Sequence, residues 1–114
     1  MAKILDVWPN GFAQRLNDGM VRARFRGGMD KPSLIEPGKV YQYDLDLWNT
    51  CQLYQKGHRI RVEVASAAFP KYDRNLNTGE VLGMTATMQV AQQKIYHDRD
   101  HPSYVVLPII PKKP

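Results

Sequence analysis

The sequence predicts an all-β domain, an antiparallel β-sandwich, on three observations. Glycine and proline are dense, with 8 of each among 114 residues, which suits many short strands and turns better than long helices. Apolar and polar residues alternate in segments 20–26, 39–47 and 59–65, the period of two that marks a strand half-buried on a sheet. No stretch carries the apolar stripe of an amphipathic helix of useful length, and no internal repeat or low-complexity tract is present.

The first strand is expected over 4–8, rich in aliphatic and aromatic residues. Pro9-Asn10-Gly11 ends it, because proline presets one turn dihedral and Asn-Gly accepts positive φ. A short second strand follows over 12–16, and Asn17-Asp18-Gly19 reads as another turn. In 20–26 the alternation puts Val21, Ala23 and Phe25 on one face and Met20, Arg22, Arg24 and Arg26 on the other. The connection 27–38 is broken by Gly27-Gly28, Lys31-Pro32 and Glu36-Pro37-Gly38.

Segment 39–47 predicts a strand with Tyr41, Tyr43, Leu45 and Leu47 on one face and Val40, Gln42, Asp44 and Asp46 on the other. Residues 48–55 are ambiguous, with room for a short helical turn, and Lys56-Gly57-His58 reads as a turn. The cleanest strand is 59–65, with Ile60, Val62 and Val64 inward and Arg59, Arg61 and Glu63 outward. Segment 66–83 is irregular, built of loop pieces such as Asp73-Arg74-Asn75 and Asn77-Thr78-Gly79. A loop this long is often functional or tied down by its own side chains. A long strand is expected over 85–97, then a polar stretch to 102. A last apolar strand over 104–110 is stopped by Pro108 and Pro111. Six or seven short strands with regular turns imply the sandwich.

The length supports one domain over 1–114 and a real core, but not a complete α/β-hydrolase, TIM barrel or dinucleotide-binding enzyme. The net charge is +5, from 16 Lys+Arg against 11 Asp+Glu. It is spread along the chain, with only Lys112-Lys113 and the Arg22/Arg24/Arg26 ladder clustered, so no nucleic-acid partner is expected. The single cysteine, Cys51, excludes an internal disulfide and an all-cysteine metal site, and fits a reducing compartment. Asp6 interrupts the only apolar run near the N-terminus, so no signal-peptide core exists there. No run approaches the roughly 18 apolar residues of a membrane span. The expected setting is cytoplasmic, without a membrane partner.

Five features invite a chemical reading. His97-Asp98-Arg99-Asp100-His101 offers two imidazoles and two carboxylates, a set that could hold a divalent metal. Its place between two strands and before Pro102 favours a charged turn closed by Asx-type bonds, so no metal and no cofactor is expected. Ser33, Ser66 and Ser103 are candidate nucleophiles, but none lies in a G-x-S-x-G elbow, and no catalytic residue is assigned. Cys51 is read as a buried or half-buried structural thiol. Tyr72, Asp73 and Arg74 suit either a polar ligand rim or charge-assisted tethering of the long loop, and tethering is favoured. Trp8, Trp48 and the six tyrosines could line a sugar platform; core or rim packing is favoured, with Tyr41 and Tyr43 assigned to packing.

Several segments together carry a resemblance. Leu5-Asp6-Val7-Trp8-Pro9-Asn10-Gly11 and Asp18-Gly19-Met20-Val21-Arg22-Ala23-Arg24-Phe25-Arg26 open it, and Glu36-Pro37-Gly38-Lys39-Val40-Tyr41 continues it. Lys56-Gly57-His58-Arg59-Ile60-Arg61 and Phe69-Pro70-Lys71-Tyr72-Asp73-Arg74-Asn75-Leu76-Asn77-Thr78-Gly79 are the most specific parts. Ile95-Tyr96-His97-Asp98, His101-Pro102-Ser103 and Leu107-Pro108 close it. In this order they resemble the C-terminal domain of the cocaine esterase/X-Pro dipeptidyl-peptidase (CocE/NonD) family of serine hydrolases.

The resemblance implies a jelly-roll β-sandwich of the galactose-binding-like type, packed against an α/β-hydrolase domain that supplies the catalytic groups. It implies no catalytic residue in this chain, and it places His97, His101 and Asp73 in the sandwich's own signature. The family's sandwich begins several strands earlier, so the chain resembles about its second half and the sandwich is expected to be incomplete. A half-sandwich leaves apolar faces and strand edges unpartnered, which implies a homodimer or a docked hydrolase domain. The function expected is a non-catalytic packing module, with a small-ligand or carbohydrate-binding module as the alternative.

Overall fold

The computed structural model describes residues 1–81 and 83–111. The Lys112-Lys113 cluster lies outside them. The chain forms strands β1 (Ala2–Val7), β2 (Ala13–Gly19) and β3 (Arg59–Val64), with a 3-10 turn at Ala23–Phe25. The strands make one antiparallel sheet in the order β2-β1-β3. No α-helix occurs among the described residues, and the all-β class holds. Among the described residues no helix is long and apolar enough to cross a membrane.

β1 is central because both its edges are bonded, and it carries the core: Ala2, Ile4, Leu5 and Val7 are all buried, together with Asp6. The β1–β2 hairpin closes at the expected turn. Gly11 takes φ +89 and donates to the Trp8 carbonyl at 2.9 Å, while Trp8 N donates to the Phe12 carbonyl at 2.8 Å. The Asn10 side chain accepts from Phe12 N at 3.0 Å, the local bond that makes asparagine a turn residue. The turn 56–58 also forms, with Gly57 at φ +89 and His58 N bonded to the Gln55 carbonyl at 3.0 Å.

Several expected elements differ. Asn17-Asp18-Gly19 is strand, not turn. Ile4 faces Asn17 but Leu5 faces Arg15, so Leu16 is an extra, bulged residue, and β2 runs on to pair Gly19 with Ala2. The expected strand 20–26 is instead the 3-10 turn, stapled by local bonds that compete with a ladder. The Arg26 guanidinium donates to the Ala23 and Ser33 carbonyls at 2.9 and 2.8 Å, and Ser33 N donates to the Arg24 carbonyl at 2.8 Å. Residues 48–55 form no helical turn; Trp48 sits at φ +62. Segments 39–47, 85–97 and 104–110 form no strands. A period-two pattern becomes a strand only beside a partner ladder, and three strands with a covered face are about the minimum that is stable alone.

β3 forms at its expected place, but Ile60, Val62 and Val64 do not point into a core: they are 50%, 42% and 56% exposed. Cys51 is exposed rather than buried, and Trp48 is 73% exposed, so neither packs as expected. The chain exposes 9987 Å², where a compact monomer of this mass exposes roughly 6,400 Å². Its radius of gyration is 17.0 Å, against about 13 Å for a compact chain of this size. The described residues therefore hold one sheet rather than two, and much apolar surface is left bare.

Candidate functional site

The densest polar cluster lies at the centre of the sheet. Asp6 alternates with Ala2 and Ile4 on one face of β1 and is only 2% exposed. Its carboxylate accepts from His58 Nδ1 at 2.8 and 3.0 Å, and from Gln52 Nε2 at 3.0 Å. A carboxylate only accepts, so Nδ1 is the protonated ring nitrogen. The turn 56–58 delivers His58 to the start of β3, beside the end of β1, and the Trp8 ring lies 5.3 Å from the imidazole. Segment 46–54 crosses the same face: Asn17 Nδ2 donates to the Asn49 carbonyl at 3.2 Å, and Gln52 comes down on Asp6. The Tyr54 hydroxyl is buried without a hydrogen-bond partner among the described residues. Burial, then the Asp6 charge, pushes its pKa up.

An Asp–His pair of this kind can orient an imidazole as a general base, provided a nucleophile stands at the other nitrogen. Ser33, Ser66 and Ser103 make no bond to His58 among the described residues, and the Ser103 hydroxyl donates to the Tyr96 carbonyl. The cluster clamps segment 46–58 onto the sheet. Sequence reasoning passed over it; the available signal was a lone acid within the apolar run Ile4-Leu5-Asp6-Val7-Trp8, since an unpaired buried carboxylate is rare.

The long loop is held at three points. Lys71 Nζ donates to both oxygens of the buried Asp18, at 2.7 and 2.9 Å. The Arg22 and Arg24 guanidinium groups donate to the Asp73 and Glu80 carbonyls, at 3.4 and 3.0 Å. Leu76 and Gln89 are joined by a backbone bond of 2.9 Å, with Asn77 Nδ2 on the Gln89 carbonyl at 2.9 Å. Of the residues singled out in the sequence, Asp73 contributes its carbonyl, Arg74 lies 4.7 Å over the Phe69 ring, and Tyr72 sits under Lys71 at 5.4 Å. Tyr72 and Asp73, with Arg22, Met20 and Ser66, line a shallow open hollow.

The bond from Lys71 holds the Asp18 carboxyl below its ordinary 3.8, against an opposing effect of burial. A lowered folded-state pKa stabilises the fold above the unfolded value and is lost as pH falls through the folded one. Thermal unfolding followed from pH 6 down to pH 2 should therefore show a flatter acid limb in Asp18→Asn than in the parent, the difference lying below about pH 4. Parallel acid limbs would show that the pair contributes nothing.

The second cluster is separate. Asp98 Oδ1 accepts from His101 N at 2.8 Å, Asp100 N at 3.0 Å and His101 Nδ1 at 3.2 Å. These bonds, led by the His101 backbone amide, lower its pKa. His101 faces the Tyr96 ring at 5.0 Å, and His97 is exposed. No group of three metal-ligating side chains occurs among the described residues. No hydrogen bond, ion pair or ring contact among them joins Tyr72, Asp73 and Arg74 to His97, Asp98 and His101.

Comparison with known proteins adds two findings. The family described as the X-Pro dipeptidyl-peptidase C-terminal non-catalytic domain matches residues 1–106. The cocaine esterase of Rhodococcus sp. (strain MB1 Bresler) is 46% identical over 111 residues, which is 96% of this chain but 19% of the relative.

Proposed function

Because the chain belongs to the family of X-Pro dipeptidyl-peptidase C-terminal non-catalytic domains, we propose that it serves as the packing module of a serine hydrolase. It offers apolar surface to an α/β-hydrolase domain and takes no part in bond cleavage. One observation carries this reading: the chain exposes half as much surface again as a compact protein of its mass. Large apolar side chains stand bare along the unpaired segments, where Met84, Val90, Val106, Ile109 and Ile110 are each about four-fifths exposed or more. Patches of this extent on a soluble protein mark interfaces. Segments 85–97 and 104–110 keep the composition of strands, and a docked domain gives them the ladder or layer that the described residues lack. A complete jelly-roll sandwich is the expected form of that assembly.

The catalytic groups then belong to the docked domain, and the relative's name points to ester hydrolysis as the activity so supported. The test is complementation. The relative lacking the segment that matches this chain is mixed with this chain, and the mass of the mixture and the half-life of its esterase activity on heating are measured. A one-to-one complex with a lengthened half-life is the expected result. No complex at about 0.1 mM would overturn the reading.

A further inference from the structure

We propose that the free edge of β3 is a self-association site, where two copies of this chain pair β3 against β3, antiparallel, about a two-fold axis at Val62. The proposal does not depend on hydrolase docking. It begins from the phase of the ladder. Met1 and Ala65 exchange both backbone bonds, Met1 N to the Ala65 carbonyl at 2.8 Å and Ala65 N to the Met1 carbonyl at 3.0 Å. Bonded pairs alternate along an antiparallel ladder, so Glu63, Arg61 and Arg59 turn their backbone groups toward β1. Ile60, Val62 and Val64 turn theirs outward, where no strand pairs with them among the described residues. The edge has no proline, no bulge and no lysine within β3, and its charges, Arg59, Arg61 and Glu63, are of both signs.

A two-fold axis at Val62 sets Val62 against Val62, Ile60 against Val64 and Arg61 against Glu63 of the second copy. The first two kinds of pair are the outward-facing residues, so each exchanges two N–H···O bonds. The Arg61–Glu63 pairs fall at the non-bonded positions, where opposing Cα atoms come within about 4.5 Å and side chains meet closely. Both side chains reach solvent: Arg61 is 49% and Glu63 40% exposed, and Glu63 is held only by long contacts, to Lys3 at 3.8 Å and to Arg61 of its own strand at 4.0 Å. Charge favours this register over its neighbours. Moving the axis to Glu63 opposes two glutamates and sets no acid against a base, and moving it to Arg61 opposes two arginines at the centre, which offsets the two Arg59–Glu63 pairs it makes. A shift by one residue pairs outward-facing with inward-facing backbone. In the matched register Ile60, Val62 and Val64 of both copies form one apolar patch across a six-stranded sheet.

The test is a charge exchange read by sedimentation equilibrium. The parent should be a dimer of twice 13.1 kDa. Arg61→Glu and Glu63→Arg should each dimerise at least about tenfold more weakly, because each opposes like charges at two positions. An equimolar mixture of the two variants should recover the dimer, since the acids of one copy then face the arginines of the other at both positions. Circular dichroism checks that each variant is folded. Should Glu63→Arg unfold beside Lys3, Val62→Pro replaces it: that change removes an outward N–H without touching the β1 ladder, and should leave a monomer. A monomeric parent at about 0.1 mM, single variants that dimerise like the parent, a mixture that recovers nothing, or a dimeric Val62→Pro would each overturn the proposal.

Discussion

Gly19→Ala is expected to cost about 3 kcal/mol or more of folding stability, a large share of the 5–15 kcal/mol typical of a domain. Gly19 ends β2 opposite Ala2, and segment 46–47 passes directly over it. A Cβ built there would overlap the Asp46 carbonyl oxygen and lie 3.0 Å from its carbon, with the Leu47 side chain at 3.5 Å. The obstacle is backbone, so it cannot rotate aside as a side chain tip does. Either β2 loses its last pair or segment 46–49 lifts away, taking the Asn17–Asn49 bond with it. Gly27 is the control: a Cβ there meets nothing within 4 Å, and Gly27→Ala should fall within about 0.5 kcal/mol of the parent. Urea unfolding of the three proteins measures the difference. A Gly19→Ala protein as stable as Gly27→Ala would mean that 46–47 does not rest on the sheet.

That contact marks where the sequence stops being legible. β1, the turn at 9–11, the turn at 56–58 and β3 are determined by a few neighbouring residues each, and they form where the pattern puts them, except that β1 starts two residues early at Ala2 and ends at Val7, leaving Trp8 outside it. The loop is irregular over 66–81 as composition implies, and the segments that carry the family resemblance lie within the 1–106 match, apart from Leu107-Pro108. The failures share a cause, which is that period two records what a residue would face, not whether a partner is there to be faced. Tyr41 stands in such a pattern, yet its hydroxyl accepts from Glu36 N at 3.0 Å and its ring lies under Arg26 at 4.5 Å. The arginines at 22, 24 and 26 read as one face of a strand, but a guanidinium bonds carbonyls in several directions at once, and here they tie loops. The Asp6 clamp joins residues 46 and 52 positions apart, a pairing no local pattern encodes.

The same clamp carries the other large expected effect. Asp6→Ala should cost about 3 kcal/mol, because it leaves two donors, His58 Nδ1 and Gln52 Nε2, facing a buried methyl group, at roughly 1–3 kcal/mol for each unmet group. The loss is structural as well as local. His58 anchors the turn that leads into β3, and Gln52 ties the segment before that turn to β1, so cooperativity should fall along with the midpoint. Asp6→Asn separates charge from shape: its one oxygen can still accept from His58, but its amide nitrogen then meets the Gln52 donor. A cost near half that of alanine follows. Tyr54→Phe is the internal comparison. The Tyr54 hydroxyl is buried without a partner among the described residues, so removing it should be neutral or slightly stabilising. The decisive measurement is a double-mutant cycle between Asp6→Ala and Gln52→Ala. A coupling of about 1 kcal/mol or more shows the two acting as one clamp, whereas strict additivity would show that Gln52 meets Asp6 without holding it.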